Sequence, residues 1–147
     1  MVSPSIHRFA GIFIITSSGK IIGQQRDNIP NIDNPGKVAP FGGTVEQNEE
    51  PKQAAWRELV QEETNLNISI NQLKLIHKTK AIRDLTKKTE EQYFYLLEIT
   101  DEQLDNIKIY EGQGWCQVKS SNDPNLATNF VPAWQFLFDY LKNININ

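Results

Sequence analysis

"FGGTVEQNEEPKQAAWRELVQEETNL", Phe41 to Leu66, decides how this chain reads. It opens on a glycine pair, passes Pro51 and then carries Arg57-Glu58-Leu59 followed by a second acidic pair. Pro51 suits the first turn of a helix, and the pattern extends that helix to about Glu63. On a regular helix with Ala55 at about 0°, Leu59 falls near about 40°, Glu62 near about −20° and Glu58 near about −60°. Glu58 and Glu62 therefore share a face bordering Ala55 and Leu59, while Arg57 and Glu63 point elsewhere. A solvated charge run keeps its acids opposite the apolar stripe, whereas these sit at its edge beside small alanines. Two carboxylates one turn apart cost a helix about a few tenths of a kcal/mol. A divalent cation between them reverses the sign, and all-oxygen donors suit Mg²⁺ or Mn²⁺, with phosphate oxygens and water completing the shell.

The loop ahead of the helix adds a spacing: Gly43, five residues, Glu49, seven residues, then Arg57-Glu58-Leu59. A glycine pair lets the backbone approach something closely or turn with positive φ. The pattern resembles the Nudix box, G-x5-E-x7-R-E-U-x-E-E-x-G-U, where U is a bulky aliphatic residue. Gly43, Glu49, Arg57, Glu58 and Leu59 match its front. The back departs from it in one of two ways. In strict register the paired acids fall on Gln61 and Glu62, the glycine on Thr64 and the last aliphatic on Asn65. With one residue inserted, Glu62 and Glu63 form the pair, Asn65 replaces the glycine and Leu66 is the aliphatic end. A regular helix brings Glu58 and Glu62 together at i and i+4. Glu63 joins them only if the helix carries a one-residue bulge, a feature often found at functional sites.

Working outward, "RFAGIFIIT" and "KIIGQQR" read as a strand hairpin turning at "SSGK". "DNIPNIDNPG" is a loop, and "KVAPFGGTVE" a short, broken strand. "LKLIHKTKAI" and "EQYFYLLEI" read as strands, "TDEQLDNI" as a turn of helix, and "KIYEGQGWCQVK" as strand, glycine turn, strand. A last helix starts near Pro132, with Trp134, Leu137, Phe138 and Leu141 on one apolar face. The order points to an α+β fold, an α/β/α sandwich of mixed sheet and flanking helices, as one domain over residues 1–147. The length of 147 residues and hydrophobic content of 39% allow one sizeable core. A net charge of −3 argues against a nucleic-acid polymer as partner. The lone Cys116 excludes an internal disulfide and fits a cytoplasmic setting. No stretch has the length of a membrane span, and no cleavage pattern follows "FAGIFII".

The resemblance implies a Nudix fold over most of the chain and a Mg²⁺- or Mn²⁺-dependent pyrophosphohydrolase. Its substrate would be a nucleoside diphosphate linked to another moiety: a nucleoside triphosphate, a nucleotide sugar, ADP-ribose or a dinucleotide polyphosphate. It implies Glu58 and Glu62 as principal metal ligands, with Glu63 in reserve and the Gly43 carbonyl as a further donor. Arg57 would brace the loop by a two-pronged bond to Glu49. Glu111, in "YEGQGW", is the distant candidate for general base. Arg26, Phe41 and Gly42 are candidate substrate contacts, with Lys80, Arg83, Lys87 and Lys88 as cations near phosphates. Tyr93, Tyr95, Trp115 and Phe130 are stacking candidates that more often serve a core. His7 and His77 read as structural, and Cys116 as a small hydrophobe. The molecule is expected as a monomer or homodimer. The competing reading is a Nudix-fold module that binds a nucleotide without cleaving it, motivated by Gln61 and the missing glycine.

Overall fold

The computed structural model describes residues 6–144. Its centre is a mixed sheet. Strands β1 (His7–Thr16) and β2 (Ile21–Gln25) form the expected hairpin, and β6 (Thr89–Ile99) runs parallel to β1 on its other side. β5 (Lys74–Ile82) pairs antiparallel with β6 and β3 (Val38–Ala39) with β2. β4 (Phe41–Thr44) adds to β1 and β7 (Gly114–Gln117) to β2. Pro40 separates β3 from β4. Proline has no N–H to give a ladder, so the broken strand expected from "KVAPFGGTVE" is two short ones.

The apolar run of β1 is explained by burial on both faces. Ala10, Ile12 and Ile14 alternate toward one core with Phe41, Ala54, Ala55 and Leu59. Phe13 faces the other, with Phe94, Trp134 and Leu137. Helix α1 (Pro51–Arg57) supplies the first core and α3 (Val131–Ile144) the second, giving helix, sheet and helix layers. A short α2 (Asp101–Asp105) is capped by Thr100, whose side chain accepts from Gln103 N. Trp134 and Leu137 are fully buried, as their helical spacing requires.

Two expectations change. The first half of "KIYEGQGWCQVK" is no regular strand, and Ile109 forms only an isolated bridge with Thr64. The first helix is α-helical only to Arg57. From Glu58 to Glu63 it widens into a π-turn, closed by Thr64 N donating to Leu59 O at 3.0 Å. That bond spans five residues rather than four. Thr64 Oγ1 donates to the same carbonyl at 2.8 Å, which ends the helix.

The π-turn is where the chain absorbs one extra residue. Leu66 is buried in the first core, in the place of an aliphatic terminus, while Gln61 is exposed on the outer side. Gln61 lies by Gln53, Trp56 and Ser69 in an outer groove. The geometry is that of the inserted-residue reading, with Gln61 exposed on the turn.

Candidate active site

Glycines 42 and 43 set how closely β4 lies between β1 and the π-turn. A Cβ on Gly42, whose φ is +133°, would come 2.1 Å from Ala10 O. One on Gly43 would come 2.4 Å from the carboxyl carbon of Glu58. The backbone is thus pressed against the acids. Gly42 N donates to Glu63 Oε1 at 3.0 Å. Glu58 and Glu63 are five residues apart, one turn of π geometry, so both face β4. The regular-helix expectation that Glu63 points elsewhere is therefore corrected. Glu63 is buried beside the glycine loop.

Three carboxylates converge at this face. One oxygen from each of Glu58, Glu62 and Glu111 lies within 4.8 Å of the others. Glu111 arrives from the loop before β7, which the chain anchors by Tyr110 N donating to Glu63 O at 2.7 Å. Gln24 Nε2 donates to Glu111 O at 3.2 Å. Burial, then the charge of Glu62, pushes the Glu58 carboxyl up to about 7 against the pull of Arg57. Glu63 is held well above the usual carboxylate range by burial, with the charges of Glu58 and Glu111 adding to it. Burial and Glu62 raise Glu111 as well. The charges of Arg57 and Arg26 only partly offset this crowding. All the donors of these acids are oxygens, the set that suits a hard divalent cation, so the residues present fit one.

Arg57 takes part more widely than the sequence suggests. Its Nε and Nη2 donate to Glu49 at 2.8 and 3.1 Å, the two-pronged bond expected, and Nη2 also donates to Thr44 O at 3.2 Å. Its Nη1 turns inward to Glu58, at 3.2 Å, and to Glu62. It does not face away from its neighbour: the guanidinium spans the gap between the loop brace and the acids.

A cavity of about 280 Å³ opens from this face. Gly42, Gly43, Glu58, Glu111 and Arg26 line it, as do His7, Phe9, Glu90 and Asn129. Phe41 does not: it is fully buried in the first core, so its ring is not available to a substrate. Tyr95 is core too, whereas Phe130 borders the cavity and packs on Phe9 with centroids 4.8 Å apart. Arg26 is held by Nε donating to Asp33 O at 2.6 Å. Arg83 also lines the cavity, paired with Asp33 at 2.9 Å, whereas Lys80 and Lys87 line a separate hollow.

His7, expected to be structural, borders the cavity with its Nδ1 2.7 Å from Glu90 Oε2. Glu90 is buried and accepts from Gln92 Nε2 at 3.0 Å. No local spacing flags this pair, because parallel pairing of β1 with β6 sets His7 opposite Glu90. Asn129 Oδ1 is buried at the cavity wall, with no hydrogen-bond partner among the described residues. His77 stacks on Phe136 with centroids 4.0 Å apart, a structural place as expected.

The model of the NUDIX domain matches residues 6–134. The chain belongs to the NUDIX family. It is a Nudix-type hydrolase acting on diphosphate bonds. Solved structures share its Nudix fold. A MutT protein from Methanosarcina mazei Go1 superposes with a TM-score of 0.72 at 19% identity, covering 100% of both chains. An Ap4A hydrolase from C. elegans gives 0.64 at 18%, covering 95% of this chain and 99% of that one. A bifunctional NMN adenylyltransferase/ADP ribose pyrophosphatase from Francisella tularensis, solved with AMP and an Mn ion, gives 0.67 at 20%. That match covers 95% of this Nudix chain and 43% of the bifunctional one. No curated protein matches by sequence. Among the described residues, no helix is long and apolar enough to cross a membrane.

Proposed function

We propose that the protein, as one Nudix domain, hydrolyses the diphosphate of a nucleotide-derived small molecule with Mg²⁺ or Mn²⁺. The observation that carries this reading is the convergence of Glu58, Glu62 and Glu111 within 4.8 Å, at the mouth of a cavity walled by Gly43 and Arg26. Glu58 and Glu62 would hold the cation, with the buried Glu63 and the Gly43 carbonyl as further oxygen donors. The cation, when bound, neutralises the diphosphate and makes a water more acidic.

The chain's own residues supply the rest. Arg57 fixes the two acids and the loop in one piece, since its bonds reach Glu49, Thr44, Glu58 and Glu62. Arg26 lines the same cavity and would meet the diphosphate there. Glu111 takes the water proton, and burial and the charge of Glu62 raise its carboxyl and so make it a stronger base. The solved relatives described as an Ap4A hydrolase and an ADP ribose pyrophosphatase support a nucleotide-derived substrate. Gln61 is exposed and lines a groove with Gln53, Trp56 and Arg57, a position that weakens the motive for the binding-module reading.

The test is release of a mononucleotide from a substrate panel with each divalent ion. Glu62→Gln is expected to lose about 100-fold or more in kcat while its circular dichroism stays native. Full activity in that variant would remove Glu62 from the site.

A further inference from the structure

Gln24 is a buried glutamine in a strand whose other inward residues are apolar. It lies on β2 two residues after Ile22, so the two side chains leave the same side of the strand. Ile22 is fully buried in the first core, and Gln24 is 3% exposed. Filling this position asks only for volume, which a methionine supplies. The glutamine adds an amide, and a buried amide needs a hydrogen-bond partner. Its Nε2 donates to Glu111 O at 3.2 Å.

Glu111 sits between two main-chain anchors. Before it, Tyr110 N donates to Glu63 O at 2.7 Å, at the end of the π-turn that carries Glu58 and Glu62. After it, Gln113 N donates to Gln25 O at 2.8 Å. Gly112 turns the chain between them with φ +77°. It lies so close to β2 that a Cβ there would come 2.5 Å from Gln25 O and 3.5 Å from Gln24 Nε2. The two main-chain bonds fix the ends of this turn, and the Gln24 amide fixes the peptide that follows Glu111. A residue has only two soft backbone dihedrals. With Tyr110 pinned on one side and the Glu111 carbonyl on the other, the direction of the Glu111 side chain is set.

That direction matters for the carboxylate. One oxygen from each of Glu58, Glu62 and Glu111 lies within 4.8 Å of the others, and carboxylates so close repel. The Glu111 side chain is exposed, so packing does not hold it against that repulsion. A base must stay within hydrogen-bond reach of the water it deprotonates, and a displacement of about 1 Å can cost a large factor in rate.

We propose that Gln24 is a positioning residue for the reaction: by holding the Glu111 carbonyl it keeps the Glu111 carboxylate beside Glu58 and Glu62. The proposal rests on the reading of Glu111 as the proton acceptor and adds a residue that acts through it. A glutamine that served the fold alone would matter equally with and without the Glu111 carboxylate.

The experiment is a double-mutant cycle of Gln24→Met, which keeps the volume and removes the donor, with Glu111→Gln. It uses whichever compound of the panel wild type turns over, with Mg²⁺ in excess. Gln24→Met is expected to lower kcat about tenfold and to leave KM within about twofold. In the Glu111→Gln background the same substitution is expected to change kcat by less than about twofold. Wild-type kcat in Gln24→Met, or an equal loss in both backgrounds, overturns the proposal. Gln24→Leu also lacks the donor and takes its place should Gln24→Met not fold, and loss of the fold in both would make Gln24 structural and overturn the proposal. Mn²⁺ gives a readout independent of turnover. It is expected to broaden the Gly112 amide resonance in wild type and less so in Gln24→Met, with Gly43 broadened alike in both. Full activity in Glu111→Gln would instead sink Glu111 as proton acceptor, and hydrolysis of no compound would sink the hydrolase reading. The broadening then decides the role of Gln24 in placing the loop: a weaker effect on Gly112 in Gln24→Met supports it, and equal broadening or none overturns it.

Discussion

Arg57 and Glu49 show what one side-chain pair contributes. The guanidinium bond holds the Glu49 carboxyl below its usual value of 4.5. Folding therefore favours the ionised acid. The stability so gained is fully present above the unfolded pKa and is lost as pH falls through the lower, folded one. Glu49→Gln should accordingly lower the melting temperature most above about pH 5. Its difference from wild type should shrink towards zero in more acid buffer, and thermal melts across pH 3–7 would check this. The pair is legible in the sequence because it follows the spacing Glu49, seven residues, Arg57. Arg57's second grip, on Glu58 and Glu62, was not legible. It depends on a side chain folding back across its own helix.

The π-turn is the element on which the site depends. It carries one residue more than a regular helix and so puts both Glu58 and Glu63 against the glycines of β4. Deletion of Gln61 leaves Arg-Glu-Leu-Val-Glu-Glu-Thr-Asn-Leu, the uninterrupted spacing of the box. That variant should fold with a regular α-helix, a melting temperature within about 5 °C of wild type and kcat within about tenfold. Circular dichroism and the same substrate assay would show it. Collapse of the fold would mean that the extra residue is required by packing and not merely accommodated. The sequence had offered both registers. What separated them was Leu66, which the core takes in, and Thr64, whose N–H and hydroxyl both close on Leu59 O.

Across the whole molecule the acidic face is an electrostatic debt carried by the fold. Carboxyls of Glu58, Glu63 and Glu111 are all raised, with burial the leading cause in each. A ligand that binds only the folded chain stabilises it, by about 2.7 kcal/mol at a hundred times its Kd. Mg²⁺ or Mn²⁺ should therefore raise the melting temperature by roughly 5–10 °C at saturation, and Glu58→Gln should blunt that rise. An unchanged melting curve across a Mg²⁺ titration would count against a cation on this face.

By itself the sequence determined most of the strands, the start of the first helix, the last helix and the front of the box. These follow from local physics: β-branched runs, period-3.6 apolar faces and a fixed spacing of charged groups along one helix and its loop. Only the tertiary structure decided which acids meet. Glu111 reaches Glu58 and Glu62 because a loop far along the chain is bonded to the end of the π-turn. His7 meets Glu90 because two strands distant in sequence lie parallel. Phe41 left the list of candidate contacts for the same reason, since its neighbours in space, and not its neighbours in sequence, bury it. Position along the chain sets periodicity, whereas proximity between separate elements is set by how the sheet pairs and how the two cores pack.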